Sequence, residues 1–201
     1  GLSSADPERV VGVHVTSDPP TAVSFAMLTG GDPAETLGLS EAEKERVERM
    51  KQTAADGQGY IQIQSTRPQT LGYALTDTPA GQLAWIVEKF KEWTDPAAEL
   101  PEEAVDRDQL LTNVSVYWFT RSGASSAHAI YENMHTQEWG EPGPAPMGYA
   151  VFGADPIARR LMDPEGTIAH WSEFERGGHF PAMEAPDLLT GDIRTFFRHL
   201  R

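Results

Sequence analysis

Apolar residues recur along this chain in two rhythms. Val10-Val11-Gly12-Val13-His14-Val15 is a β-branched run between an Asp-Pro turn and Ser17-Asp18-Pro19-Pro20. Such a run, with no polar alternation, predicts a strand buried on both faces of a parallel sheet. From Thr21 to about Met134 the rhythm is helical. Ser40 opens Ser-Glu-Ala-Glu, a capping box, and the charged helix behind it offers only Val47 and Met50 as apolar contacts. Asp77-Thr78-Pro79 caps a stronger helix in which Leu83, Ile86, Val87, Phe90 and Trp93 share one face. The acidic, proline-containing stretch from Asp95 to Asp106 predicts an exposed loop. Asp108 precedes another helical face built from Leu110, Leu111, Val114, Tyr117 and Trp118, and Ser125 to Met134 predicts one more helix.

Beyond Pro142-Gly143-Pro144-Ala145-Pro146 the strand pattern returns, over Met147 to Phe152 and again over Thr167 to Phe174. Pro186 then starts a closing helix with Leu189, Ile193, Phe196 and Leu200 inward. The order is strand, helical insertion, strand, strand, helix, which predicts an α/β fold with a mostly parallel sheet. It divides the chain into a core strand segment over 1–20, a helical lid over 21–140 and a C-terminal core over 141–201. Three strands leave a parallel sheet with an open apolar edge, which compact proteins avoid. Further strands are therefore expected outside this sequence.

Composition narrows the partners. The net charge is −14, with acidic residues spread along the chain, which disfavours nucleic acid and anionic membranes as partners. No run approaches the roughly 20 apolar residues of a spanning helix, and no charged-then-apolar leader is visible. A soluble, cytoplasmic protein is the expectation. Cysteine is absent, which removes disulfides, thiolate metal sites and a cysteine nucleophile.

The candidate chemistry gathers near the C-terminus. In Arg176-Gly177-Gly178-His179-Phe180-Pro181 two glycines precede a histidine just past a core strand. Glycine permits the backbone angles and close approach needed to aim a side chain from a strand end, so His179 is the candidate general base. A histidine base needs an orienting acid. Asp155, in Phe152-Gly153-Ala154-Asp155-Pro156, stands just past the preceding strand. It suits that role, and it equally suits a helix N-cap before proline. Asp163 and Glu165 are alternatives deeper in the connection. No metal or cofactor is called for, since the histidines form no ligand cluster in sequence and no phosphate-binding glycine loop opens a helix.

Longer motifs carry a resemblance. Gly59-Tyr60-Ile61-Gln62-Ile63-Gln64-Ser65-Thr66-Arg67-Pro68-Gln69-Thr70-Leu71-Gly72 and Ala74-Leu75-Thr76-Asp77-Thr78-Pro79-Ala80-Gly81 resemble the lid of microsomal-type epoxide hydrolases. Leu110 to Val114 with Tyr117-Trp118, and Ile130-Tyr131-Glu132-Asn133, are similar to that family's later lid segments. The resemblance implies an α/β-hydrolase fold with a helical lid inserted between core strands. It implies hydrolysis of an apolar epoxide to a vicinal diol: an aspartate forms an ester, and a His–acid pair activates the water that cleaves it. Tyr60 and Tyr131 would donate to the epoxide oxygen, with His179 as base and Asp155 as acid. The departure is Gly153-Ala154 before Asp155, where relatives often carry proline and use glutamate as the acid.

Leu2 to Pro7 resembles the tail of the helix after the nucleophile elbow, and neither Asp6 nor Asp18 fits that elbow. The attacking aspartate is therefore expected on a companion polypeptide or N-terminal half, and this chain alone is expected to be inactive. The partners implied are that half and a small-molecule epoxide, with homodimerisation left open. An esterase, a haloalkane dehalogenase or a non-catalytic ligand-binding relative also remains open from the sequence.

Overall fold

The computed structural model describes residues 4, 6–28, 31–136 and 143–200. Leu2, Ser3 and Ala5 of the expected helix tail, and Pro142 of the proline-rich connection, lie outside them. The chain divides into two compact units, one comprising 1–55 with 140–201 and the other 56–139.

The first unit is built on three parallel strands, β1 (Val13–Ser17), β2 (Met147–Phe152) and β3 (His170–Phe174), in the order β1-β2-β3. Val13 pairs with Met147, and Gly148 pairs with both His14 and His170. β1 begins three residues later than the apolar run predicts, because its first ladder bond is Val13 N–H to Pro146 O, at 2.9 Å. Val11 is left exposed. β2 is the central strand, buried from Gly148 onward, as expected for a strand with helices on both faces.

The two faces of β2 bury alternate residues. Tyr149 and Val151 pack with Ala22 of α1 (Pro19–Leu28) and Ala158 of α10 (Pro156–Met162). Ala150 and Phe152 pack with Ala185, Leu188 and Leu189 at the start of α12 (Pro186–Arg198). Between α1 and the second unit lie α2 (Pro33–Thr36) and α3 (Glu41–Gly57). The capping box is present, with Ser40 N–H and Oγ–H both donating to Glu43 Oε2 and Glu43 N–H returning to Ser40 Oγ. Val47 is fully buried against Leu39 and Ile157. Ala22, Leu39 and Val47, in the range grouped with the lid from the sequence, thus pack against the sheet and α10.

Among its described residues the second unit is built from helices and their connections: α4 (Gly59–Thr66), α5 (Pro68–Asp77), α6 (Pro79–Trp93), α7 (Pro101–Ala104), α8 (Arg107–Thr120) and α9 (Gly123–His135). Prolines open α5, α6 and α7 at positions where the missing N–H costs nothing. Thr78 caps α6 by accepting from Ala80 N–H, and Asp106 caps α8 by accepting from Asp108 N–H and Gln109 N–H. The stretch expected to be an exposed loop holds α7 and the buried Val105. Helices α5 and α9 cross closely through small residues: a Cβ on Gly72 would stand 3.1 Å from that of Ala124. The inward face of α6 also differs from the expected stripe. Gln82, Lys89 and Phe90 are buried, while Leu83 is exposed. Apolar periodicity located the helix but not its buried face. Among the described residues no helix is long and apolar enough to cross a membrane.

Gly148 sits where the sheet is tightest. A Cβ there would lie 3.0 Å from His14 Cδ2 and 3.0 Å from two ring carbons of Phe196. We expect Gly148→Ala to cost about 1–3 kcal/mol through overpacking. The reading is a lower urea midpoint with an unchanged m-value.

Candidate active site at the C-terminal edge of the sheet

In a parallel sheet every strand points the same way, so the loops leaving the strands gather along one edge, where ligands usually bind. Asp18 follows β1 directly, Asp155 lies three residues past β2, and His179 lies five residues past β3. The loops after β2 and β3 interlock through two left-handed glycines, Gly153 at φ 65° and Gly177 at φ 95°. Ala154 N–H donates to Phe174 O at 3.0 Å. A Cβ on Gly177 would sit 3.0 Å from the Phe152 ring, and one on Gly153 would sit 3.4 Å from Gly177 O. This is the close approach for which the double glycine ahead of His179 was singled out.

The His179 side chain is 40% exposed, with its ring edge-on to Phe180 at 5.0 Å. Its Nδ1 lies 3.9 Å from Asp18 Oδ1, within ion-pair range and beyond a direct hydrogen bond. Asp18 is buried. Its Oδ1 accepts from Thr21 N–H and Thr21 Oγ–H, which tie it to the first turn of α1.

Asp155 is buried too, and its Oδ1 is occupied. It accepts from Ile157 N–H at 3.0 Å as the N-cap of α10, and from Arg46 Nη1 at 3.2 Å. Of the two roles open to Asp155 from the sequence, the cap is formed. Asp18, considered in the sequence only as a nucleophile, enters the neighbourhood of His179 because β1 and β3 both end at this edge. The weaker alternative Asp163 folds its own turn, with Oδ1 accepting from Thr167 and Ile168 N–H.

The two phenols lie in the helical unit. Tyr60 is in the first turn of α4 and Tyr131 is on α9, and these two helices pack on each other. Burial pushes the Tyr60 hydroxyl above its ordinary pKa, against the pull of the Lys89 ammonium, and Glu92 adds to the rise. Tyr60 therefore stays a neutral donor at neutral pH. Its ring meets Trp93 edge-on at 4.9 Å, and Lys89 Nζ stands 4.9 Å from its centroid. Lys89 itself is held by Glu88 and Glu92. Tyr131 stacks on His135 at 4.1 Å. Two surface grooves, one beside Arg159 and Glu173 and one between α6 and α8, include none of the four predicted site residues.

One cluster corrects the sequence reading that the histidines form no ligand group. His14 and His170 flank Gly148 on one face of the sheet, and both donate Nε2–H to the Asp192 carboxylate of α12. Burial works to raise the Asp192 pKa, but hydrogen bonds from Ser172, His14 and His170 outweigh it and hold the group low. The two histidines are far apart in the chain, so no spacing rule reveals the group. Their register opposite one glycine does.

No family model matches the chain. It is 36% identical over 203 residues to a provisionally named epoxide hydrolase of Stigmatella aurantiaca, covering 100% of this chain and 44% of that protein. It is 36% identical over 151 residues to epoxide hydrolase 1 of Sus scrofa, covering 69% of this chain and 33% of the relative. The crystal structure of juvenile hormone epoxide hydrolase from Bombyx mori superimposes with a TM-score of 0.75 at 26% identity, over 100% of this chain and 51% of that one. The chain thus spans about half or less of the length of the proteins it matches. Related in sequence over its whole length and in fold to such proteins, the chain belongs to the microsomal-type epoxide hydrolases of the α/β-hydrolase superfamily.

Proposed function

We propose that the protein converts an apolar epoxide to a vicinal diol through an ester formed on an aspartate, with His179 activating the water that cleaves the ester. The observation that carries this reading is His179, set by an interlocked glycine turn at the strand-end edge, with buried carboxylates on the loops of both other strands. The attacking aspartate belongs to polypeptide outside these 201 residues.

The carboxylate attacks one epoxide carbon, the C–O bond breaks, and the electron pair remains on oxygen. Tyr60 and Tyr131 donate to that oxygen, and a phenol with a pKa about 10 is acidic enough to protonate an alkoxide while staying neutral beforehand. Water then gives a proton to His179 as it adds to the ester carbonyl. Collapse of the adduct expels the diol oxygen, which takes the proton of the newly formed carboxyl group; the imidazolium's proton passes to the phenolate, so carboxylate, imidazole and phenol are all restored as the diol leaves. An acid orients the imidazole and stabilises the imidazolium. Asp155 is the assigned acid, and Asp18 is the second reading, favoured by its 3.9 Å approach to Nδ1. The aromatic residues Trp85, Trp93 and Trp118 of the helical unit suit an apolar substrate.

Tyr60→Phe and Tyr131→Phe should each lower turnover of styrene oxide to its diol by about 10²–10³, the usual loss for one oxyanion donor. A Phe variant with an unchanged kcat removes that tyrosine from the mechanism. His179→Gln should form about one equivalent of covalent ester per active site and then stop, visible as a mass increment on the nucleophile's peptide. Comparing Asp155→Asn with Asp18→Asn assigns the acid. The variant with slower ester hydrolysis and unimpaired ester formation has lost it.

A further inference from the structure

We propose that His14, His170 and Asp192 bind one divalent transition-metal ion of the zinc class, which fastens β1, β3 and α12 together. The site is separate from the hydrolytic reading and does not depend on it. Two imidazole nitrogens and a carboxylate oxygen are a donor set that zinc, cobalt and nickel take in proteins. All three ligand atoms lie within 4.8 Å of one another. His14 Nε2 is 2.7 Å from Asp192 Oδ2, and His170 Nε2 is 2.8 Å from Asp192 Oδ1. Ligands about 2.0–2.1 Å from a tetrahedral ion stand roughly 3.3 Å apart. Each N–O pair therefore opens by about half an ångström, while the widest pair of ligand atoms, up to 4.8 Å apart, closes by at most about 1.5 Å, both within the reach of side-chain rotation.

The exchange balances. Each Nε2 hydrogen-bonds the carboxylate, which can only accept. On binding, the Nε2 proton leaves to Nδ1 of the ring or to solvent, the Nε2 lone pair takes the metal, and two hydrogen bonds become two coordinate bonds. No oxidant or reductant is involved.

Charge favours the ion. Asp192 is 5% exposed and His14 4% exposed, and the three groups that hold the carboxylate, Ser172, His14 and His170, include no permanent cation. A doubly charged ion places permanent positive charge beside this buried carboxylate. Ser172 Oγ–H donates to Asp192 Oδ1 at 2.6 Å and fixes the carboxylate plane, the service an outer hydrogen bond gives a metal ligand. The site is also built rather than accidental. Gly148 leaves space between the two rings, and Phe196, on the same helix as Asp192, closes the wall with its centroid 5.8 Å from His14 and 5.7 Å from His170. His170 is 21% exposed, which leaves one side for entry and for a fourth, water ligand.

The test uses tag-free protein stripped with EDTA and titrated first with Co²⁺, then with Zn²⁺. One equivalent of Co²⁺ should develop visible d–d absorption that Zn²⁺ displaces. Zn²⁺ at about a hundredfold excess over Kd should raise Tm by about 5–10 °C. Both responses should vanish in Asp192→Asn and His170→Gln and persist in His179→Gln and His199→Gln. His170 is only partly buried, so His170→Gln carries the test should Asp192→Asn fail to fold. Absence of uptake, or uptake and a Tm shift that survive His170→Gln, overturns the proposal and leaves the cluster a hydrogen-bonded clamp.

Discussion

Asp192 links two strands that the sheet joins only through a third. β1 and β3 do not pair with each other, because β2 lies between them, yet the two oxygens of one carboxylate reach an imidazole on each. The helix carrying that carboxylate also presses Phe196 onto the same sheet face. In this unit a polar contact under an apolar cover ties both outer strands to the closing helix. Buried polar groups of this kind are costly unless fully satisfied, and here each oxygen has a partner. The same two strands deliver Asp18 and the His179 loop to one edge.

Local signals in the chain were direct. The β2 run, the capping box at Ser40 and the threonine–proline start of α6 each rest on interactions within a few residues, and the structure contains all three. The double glycine before His179 was legible for the same reason, since positive φ is a local demand. The start of β1 was misplaced because the ladder, not the apolar run, decides where a strand begins, and Pro146 supplies its first acceptor.

The features that stayed hidden depend on which distant residues meet. His14 and His170 read as unrelated, and only their common register with Gly148 unites them. Arg46 occupying Asp155, and Lys89 turning inward against Tyr60 and Trp93, are likewise pairings across elements that no periodicity encodes. Residues 21–55 looked like the start of an all-helical insertion because their helical rhythm matches that of the second unit. In the structure Ala22 packs against Tyr149 and Val151, and Leu39 and Val47 against Ile157.

The interlocked glycines after β2 and β3 limit how this architecture can diversify. A side chain at either position would meet both an unfavourable backbone angle and the neighbouring loop, so the two turns can be redrawn only in concert. Exposed positions of the helical unit, such as Tyr73 and Phe119, carry no such coupling. Over many generations of mutation, then, the strand-end turns should resist drift while the helices absorb it.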